Sequence, residues 1–392
     1  MKAIVLGIGL QGKAVIHDLE QSDLICKIFA ADINIDNAKG YLKQMAYSKT
    51  EALKLDVSRD KDLAGTYAKM GIDIVICMLP IELALTAARA AMNAGIPFVS
   101  SNYTYQLQEL DALAKEKNSI ILPEMGLDPG IDLVLGRMAV DQLDQIHGLY
   151  SYGGGVPAPE CAEDSPIRYK ISWIFDRVLA VYTREARLLR EGRLHVVPGD
   201  EIFKPENVHE IEFPEIGTVE AYPNGDAERY VQIFNLGKEL VEMGRFALRW
   251  PGHSKFWYKM VKLGLLDDTP ISFADTGISP RSFISQWLTP RLQYTGEQRD
   301  LALLRVEAWG TKDGRKIKVI YDLVDYRDLS TGLFAMNRTV GFTSSIGALM
   351  ILGGKISGAG VLSPVRHVPP HEFMEEVKAR GIRIDYRVEE MA

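Results

Sequence analysis

Cysteine is scarce: Cys26, Cys77 and Cys161 are the three among 392 residues. An odd set with no C-x-x-C pair predicts neither a disulfide framework nor a thiolate zinc site. A reducing compartment suits such a chain, and the cytoplasm is the expected location. No apolar run reaches the ~18 residues of a membrane span. The opening MKAIVLGIG lacks the charged region, long apolar region and cleavage site of a signal peptide, so no membrane is expected as a partner. There is no basic excess either. Lys and Arg number 45 against 52 Asp and Glu, a formal charge of −7, which leaves nothing to neutralise a phosphate backbone and excludes nucleic acid as an expected partner. Internal repeats and low-complexity segments are absent as well.

What is present is an ordinary globular composition, 47% hydrophobic and 25% charged, at a length that predicts two domains. Residues 1–125 alternate short apolar runs with longer amphipathic ones. Ala3–Leu6, Lys27–Ala31, Ala52–Val57, Ile72–Leu79, Pro97–Ser101 and Ser119–Leu122 read as strands. Lys13–Glu20, Ile35–Gln44, Lys61–Lys69, Ile81–Asn93 and Tyr105–Lys117 read as the helices between them. That rhythm predicts an α/β fold with an N-terminal doubly wound parallel sheet of Rossmann type. From residue 126 the pattern changes. Gly153-Gly154-Gly155 and Pro157-Ala158-Pro159 read as a loop, and Ile171–Arg190 as a helix of 20 residues. Val208–Ala221 and Leu301–Val324 read as antiparallel β, the latter turning at Asp313-Gly314. A second, α+β domain is therefore expected over 126–339. Residues 340–392, helical at Gly341–Leu352 and Glu372–Arg380, either finish the second domain or return to the first.

Gly7-Ile8-Gly9-Leu10-Gln11-Gly12 follows the first strand and opens a helix, so its glycines stand where backbone amides approach a pyrophosphate. Asp32 lies 20 residues past Gly12 at the end of the second strand. A carboxylate there accepts hydrogen bonds from the ribose hydroxyls and repels a 2′-phosphate, so NAD is the expected cofactor and NADP the less favoured one. Asp56 and Val57 end the third strand and are expected to flank the adenine. Leu79 and Pro80 end the fourth at the same carboxyl edge, where Pro80 also fills the role of a structural turn residue.

Five further segments carry a resemblance: Gly126-Leu127-Asp128-Pro129-Gly130-Ile131-Asp132, Ser151–Glu160 (SYGGGVPAPE), Tyr169-Lys170-Ile171-Ser172-Trp173, Leu248-Arg249-Trp250-Pro251-Gly252-His253 and Thr339-Val340-Gly341-Phe342-Thr343. With the glycine loop, these resemble the saccharopine dehydrogenase family in order along nearly the whole chain. The resemblance implies a first domain completed by residues 340–392, a second domain that binds an amino-acid substrate and pairs subunits into a homodimer, and hydride transfer at a carbon–nitrogen bond. Two branches differ in substrate: saccharopine reductases join or split glutamate and allysine, whereas lysine 6-dehydrogenases oxidise the free lysine ε-amine. Saccharopine reductases usually carry His after D-P-G-I-D and read Y-P-N-R-D, where this chain has Leu133 and Tyr222-Pro223-Asn224-Gly225-Asp226. The missing arginine is a candidate carboxylate clamp, with Arg229 nearby as a substitute. The expected reaction is therefore NAD-dependent oxidation of lysine to allysine. Glutamate-forming saccharopine oxidation is the alternative, and a non-catalytic NAD-binding sensor the second.

The resemblance makes Asp128 the first candidate for a catalytic and substrate-contacting group, at the end of the nucleotide domain; Asp-Pro-Gly is equally a turn that an aspartate caps. Lys170 is a candidate acid or base if desolvated, and His253 a candidate for proton transfer because imidazole titrates near neutrality. Gly153 and Gly154 are expected to offer backbone amides to a substrate carboxylate, with Ser101, Tyr169 and Arg229 completing the substrate contacts. No metal site is expected. His367 and His371 have helical spacing, but Pro369 and Pro370 between them forbid that helix.

Overall fold

A computed structural model of the chain describes residues 1–273 and 276–391. Its elements begin with β1 (Lys2–Leu6), α1 (Leu10–Glu20), β2 (Lys27–Asp32), α2 (Ile35–Met45), β3 (Thr50–Lys54) and α3 (Leu63–Met70). There follow β4 (Ile74–Cys77), α4 (Ile81–Asn93), β5 (Phe98–Ser100), α5 (Asp111–Glu116), β6 (Ile120–Leu122) and α6 (Ile131–Val140). The middle of the chain forms β7 (Gln145–Pro157), α7 (Pro159–Ala162), α8 (Phe175–Val181), β8 (Ala186–Arg190), β9 (Arg193–Val197), β10 (His209–Phe213) and β11 (Gly217–Pro223). Next come α9 (Glu228–Ile233), β12 (Glu242–Arg249), α10 (His253–Lys262), β13 (Ile271–Phe273), β14 (Thr276–Ile278) and α11 (Pro280–Leu288). The last are β15 (Asp300–Lys312), β16 (Arg315–Tyr326), α12 (Ala335–Leu352), β17 (Gly360–Val361), α13 (Pro364–His367), α14 (Pro370–Ala379) and β18 (Ile384–Glu390). Two units emerge, one of Met1–Leu135 with Asn337–Ile382, the other of Gly136–Met336 with Arg383–Ala392.

The first unit holds a seven-stranded sheet in the order β17-β6-β5-β4-β1-β2-β3, every pair parallel. Crossover helices cover both faces of such a sheet, which is why β1 and β4 read as unbroken apolar runs. Strand order reverses between β1 and β4, so the crevice for a ligand opens beyond their carboxyl ends. Small residues let helices approach closely: a Cβ on Gly341 of α12 would stand 2.6 Å from that of Ala14 on α1. The third strand stops at Lys54, short of the expected Val57, because Asp56 turns the chain by accepting from Ser58 N at 3.0 Å. The expected Tyr105–Lys117 helix is a 3-10 turn, Tyr105–Leu110, running into α5.

The second unit is built on a nine-stranded mixed sheet, β10-β11-β12-β7-β15-β16-β18, with the β8–β9 hairpin attached to β12. All its pairs are antiparallel except β12 with β7. The expected turn at Asp313-Gly314 joins β15 to β16, both residues at positive φ (49° and 74°), the type I′ geometry that matches strand twist. Two expectations are corrected. Gly153-Gly154-Gly155 is not a loop but the middle of β7, with Gly153 opposite both Leu304 and Ala247. The segment Ile171–Arg190 is helical only over Phe175–Val181; Ala186–Arg190 is β8, which turns back at Glu191-Gly192 (φ 49° and 71°) to pair with β9.

Candidate active site

In the first unit the glycine loop leaves β1 at Gly7, whose φ of +88° and 3.0 Å clearance to Leu79 Cδ2 exclude a side chain. A Cβ on Gly12 would fall 2.0 Å from the Gly7 carbonyl oxygen, so α1 packs directly on the loop. Gly9 differs: a Cβ there meets nothing within 4 Å. It caps α1 without any side-chain hydrogen bond, which leaves open space over the first amides of the helix. Leu10 is exposed and Gln11 half-buried beside it. Asp32 ends β2 as expected, and its carboxylate is already engaged: Oδ2 accepts Ile8 N and Oδ1 accepts Asn34 N, each at 2.7 Å. Pro80 caps α4, and the Leu79 carbonyl accepts Asn102 Nδ2 at 3.1 Å. Asp56 is held below the ordinary carboxylate range chiefly by the Ser58 hydroxyl, while Val57 lies in the apolar cluster with Leu63 and Tyr67.

Asp128 is partly buried. Its turn is closed by Gly126 N donating to Pro129 O and Ile131 N to Gly126 O, both at 2.9 Å, with a cis bond between Asp128 and Pro129. The side chain that caps the turn is Asp132, whose Oδ1 accepts Gly130 N at 2.8 Å. Ser101 comes alongside, its Cβ 3.3 Å from the position a Cβ on Gly126 would take.

In the second unit Tyr169, Lys170 and His253 belong to one aromatic cluster with Tyr182, Tyr222, Arg249 and Tyr294. Lys170 is buried, donates to Gln293 O at 3.3 Å, and lies 6.0 Å from the centre of the Tyr294 ring. His253 is buried at the first turn of α10, its Nε2 2.8 Å from the Tyr182 hydroxyl and its ring 5.6 Å from that of Tyr169. Burial, then the charge of Arg249, pushes its pKa well below the usual 6.5 and so disfavours the imidazolium that near-neutral proton transfer would need. Gly153 and Gly154 are corrected too. A Cβ on Gly154 would stand 2.5 Å from Leu248 O, and Gly153 lies beside it in β7, so neither belongs to a loop. Arg229 rests over the Tyr230 ring at 5.1 Å, which Arg245 also covers at 4.5 Å. At Gly225 (φ +70°) the neighbouring guanidinium is that of Arg184, 3.5 Å from where a Cβ would be, donating to Asn224 Oδ1 at 3.2 Å. Sequence reading named Arg249 and Tyr222 only as parts of resemblance segments and did not single out Tyr182 or Tyr294. The available signal was a lone arginine ending the apolar run Phe246-Ala247-Leu248.

Residues 3–122 match the saccharopine dehydrogenase NADP binding domain, and residues 126–382 the saccharopine dehydrogenase C-terminal domain. The chain belongs to the saccharopine dehydrogenase family. Bovine alpha-aminoadipic semialdehyde synthase is 26% identical over 97% of this chain, which spans about half (47%) of that relative's length. Saccharopine dehydrogenase (NADP(+), L-glutamate-forming) of Saccharomyces cerevisiae is 26% identical over 96% of each chain. The solved structure of the apo L-Glu-forming enzyme from that yeast has a TM-score of 0.85 at 24% identity, covering 99% of both chains, and so shares the fold. The first of the two family matches marks residues 3–122 as an NAD(P)-binding domain. The open space at Gly9 and the close-packed Gly7 and Gly12 fit a dinucleotide pyrophosphate. Among the described residues, no helix is long and apolar enough to cross a membrane.

Proposed function

We propose that the protein is a glutamate-forming saccharopine dehydrogenase. The observation that carries this reading is the 26% identity to the yeast L-glutamate-forming enzyme over 96% of both chains. It reverses the order of the two sequence-based alternatives. The reaction removes hydride from the lysine-derived ε-carbon of saccharopine; water then splits the resulting imine into allysine and glutamate. Bound NAD(P) supplies the hydride acceptor, and the chain's own groups hold the substrate and move its proton. A secondary ammonium must lose that proton before hydride leaves, which calls for a base and an alkaline optimum. Lys170, buried among aromatic rings, is the proposed acid–base group, and Asp128 the proposed contact for the substrate ammonium. His253, whose charged form burial disfavours, is not proposed for proton transfer.

Gly225 favours a second reading, oxidation of the free lysine ε-amine, because it removes the arginine that saccharopine reductases usually carry there. The test is dinucleotide reduction followed at 340 nm at mildly alkaline pH, with saccharopine or lysine as sole amine. Turnover of saccharopine with stoichiometric glutamate is expected. Turnover of lysine alone, with ammonia released, would replace the main reading by the second.

A further inference from the structure

Asp18 lies in the last turn of α1, and its carboxylate ties that helix to α12 and to the end of α14. Oδ1 accepts Arg380 Nε at 2.7 Å, and Oδ2 accepts the Ser345 hydroxyl. Arg380 also donates from Nη1 to Glu376 Oε2 and to the Glu376 main-chain oxygen, both at 2.8 Å. The other carboxylate oxygen of Glu376 is 3.5 Å from Lys355 Nζ. These bonds hold three helices of the first unit around a surface cavity of about 490 Å³, a size typical of small-molecule sites. It opens at the opposite end of α1 from the glycine loop, about 13 Å along the helix from Gly9 to Asp18.

The lining decides what enters. Among its Lys, Arg, Asp and Glu side chains, Arg338, Lys355 and Arg380 face Asp18 and Glu376, three cations against two carboxylates, in a chain of formal charge −7. Each oxygen of the two carboxylates already meets Arg380, Ser345 or Lys355, so a cationic ligand would have to displace an internal partner. The positive balance favours an anion instead. Arg338 lies over the Phe342 ring at 5.3 Å and donates from Nη2 to Arg380 O at 3.2 Å. A guanidinium anchored in this way presents a planar fork that suits a carboxylate. Phe342 and Leu349 continue along the same face of α12, four and eleven residues on, and Met350 adds to this apolar wall.

Both helices reach functional segments. A Cβ on Gly341 would stand 2.6 Å from the Ala14 Cβ and 2.8 Å from Gln11 O, so α12 rests on the first turns of α1, where the glycine loop ends. Three residues on, Ser344 donates to Met125 O at 2.6 Å, just ahead of the turn that carries Asp128. We infer that the cavity is an effector site for an organic monocarboxylate, with the carboxylate on Arg338 and the apolar body along Phe342, Leu349 and Met350. Its occupancy changes dinucleotide affinity through the packing of α12 on α1. Linkage makes that effect reciprocal, so each ligand reports on the other.

The probe is octanoate, with octanamide as its uncharged counterpart, titrated calorimetrically into wild type, Arg338→Met and Leu24→Glu. Wild type is expected to bind octanoate about tenfold more tightly than octanamide. Arg338→Met keeps the apolar stem, so it should lose about tenfold in octanoate affinity and bind octanamide as wild type does. Leu24→Glu adds a like charge to the lining at an exposed position and should weaken octanoate about threefold. It keeps the test available if the arginine variant does not fold. Saturating octanoate should shift the Kd for NADH and NADPH by about fivefold. Absence of octanoate binding, equal binding of acid and amide, or full binding by Arg338→Met or Leu24→Glu would overturn the site. Dinucleotide Kd values that stay unchanged with octanoate bound would overturn the effector role.

Discussion

At Asp32 the two carboxylate oxygens each accept a backbone amide, from Ile8 inside the glycine loop and from Asn34 just beyond β2. The side chain thus fixes the loop, and a carboxylate at this strand end is expected to accept hydrogen bonds from ribose hydroxyls as well. Asp32→Ala should weaken NAD binding by ~10- to 100-fold, the scale of losing charge-assisted hydrogen bonds. NADP should lose less, because its 2′-phosphate is relieved of a like charge; titration of both dinucleotides by calorimetry checks this, and equal losses would assign Asp32 to the loop alone. The packing of this loop was legible in sequence because its meaning is local: Gly7 answers to a turn and Gly12 to a helix within six positions. Glu220 was not legible. It accepts the Gly252 and Ser254 amides at the start of α10, and no spacing in the chain records that.

At the scale of single elements, β7 corrects the reading of glycine most sharply. Its Gly148 faces Trp309 across the β15 ladder, and a Cβ there would fall 2.0 Å from the indole. Gly154 accommodates Leu248 and Gly155 accommodates Ser172 and Met336. A glycine cluster in sequence looks the same whether it frees a loop or admits bulky neighbours to a strand. The lost helix over Ile171–Arg190 has a similar origin, since Ala-Arg-Leu-Leu-Arg fits helical and strand periods alike, and only the Glu191-Gly192 hairpin decides. The Asp313-Gly314 turn was legible because that pair is a stronger type I′ signal than Glu-Gly. Gly148→Ala should therefore destabilise the protein by ~1–3 kcal/mol through overpacking. Gly40→Ala, in α2 where a Cβ meets nothing within 4 Å, should stabilise it by ~0.5–1 kcal/mol through helix propensity. Urea unfolding of the two variants reads both signs, and a stabilised Gly148→Ala would show that Trp309 moves aside freely.

Across the whole molecule the chain closes each unit with its last segments. After β16, residues Asn337–Ile382 belong to the first unit, where β17 extends the parallel sheet beside β6, and β18 then pairs with β16 in the second. The helical pattern of the C-terminal segment left two destinations open, and only the resemblance implied a return to the first unit; the destination of Ile384–Glu390 was not legible, because it depends on the long edge that β16 leaves open. The return begins at Asp300, fully buried, whose two carboxylate oxygens accept Ala335 N at 2.8 Å and Met336 N at 3.1 Å and so cap α12. Burial outweighs these hydrogen bonds and, with the nearby charge of Asp325, raises the Asp300 pKa from 3.8 to about 6. The folded state therefore binds this proton more tightly than the unfolded chain does. Below pH ~4 the group is protonated in both states and costs nothing; between pH ~4 and ~6 its ionisation removes stability as pH rises, reaching ~3 kcal/mol. Lowered carboxylates such as Asp111 and Asp144 act in the opposite sense, losing their contribution as pH falls through their folded pKa values. The difference between wild type and Asp300→Asn isolates the one group. That difference should move in favour of the asparagine variant as pH rises from 4 to 6 and then level off, whatever constant offset the altered cap adds. Thermal unfolding of both proteins across pH 4–8 measures it, and a difference independent of pH would mean that Asp300 stays ionised throughout and α12 begins on a charged cap at every pH.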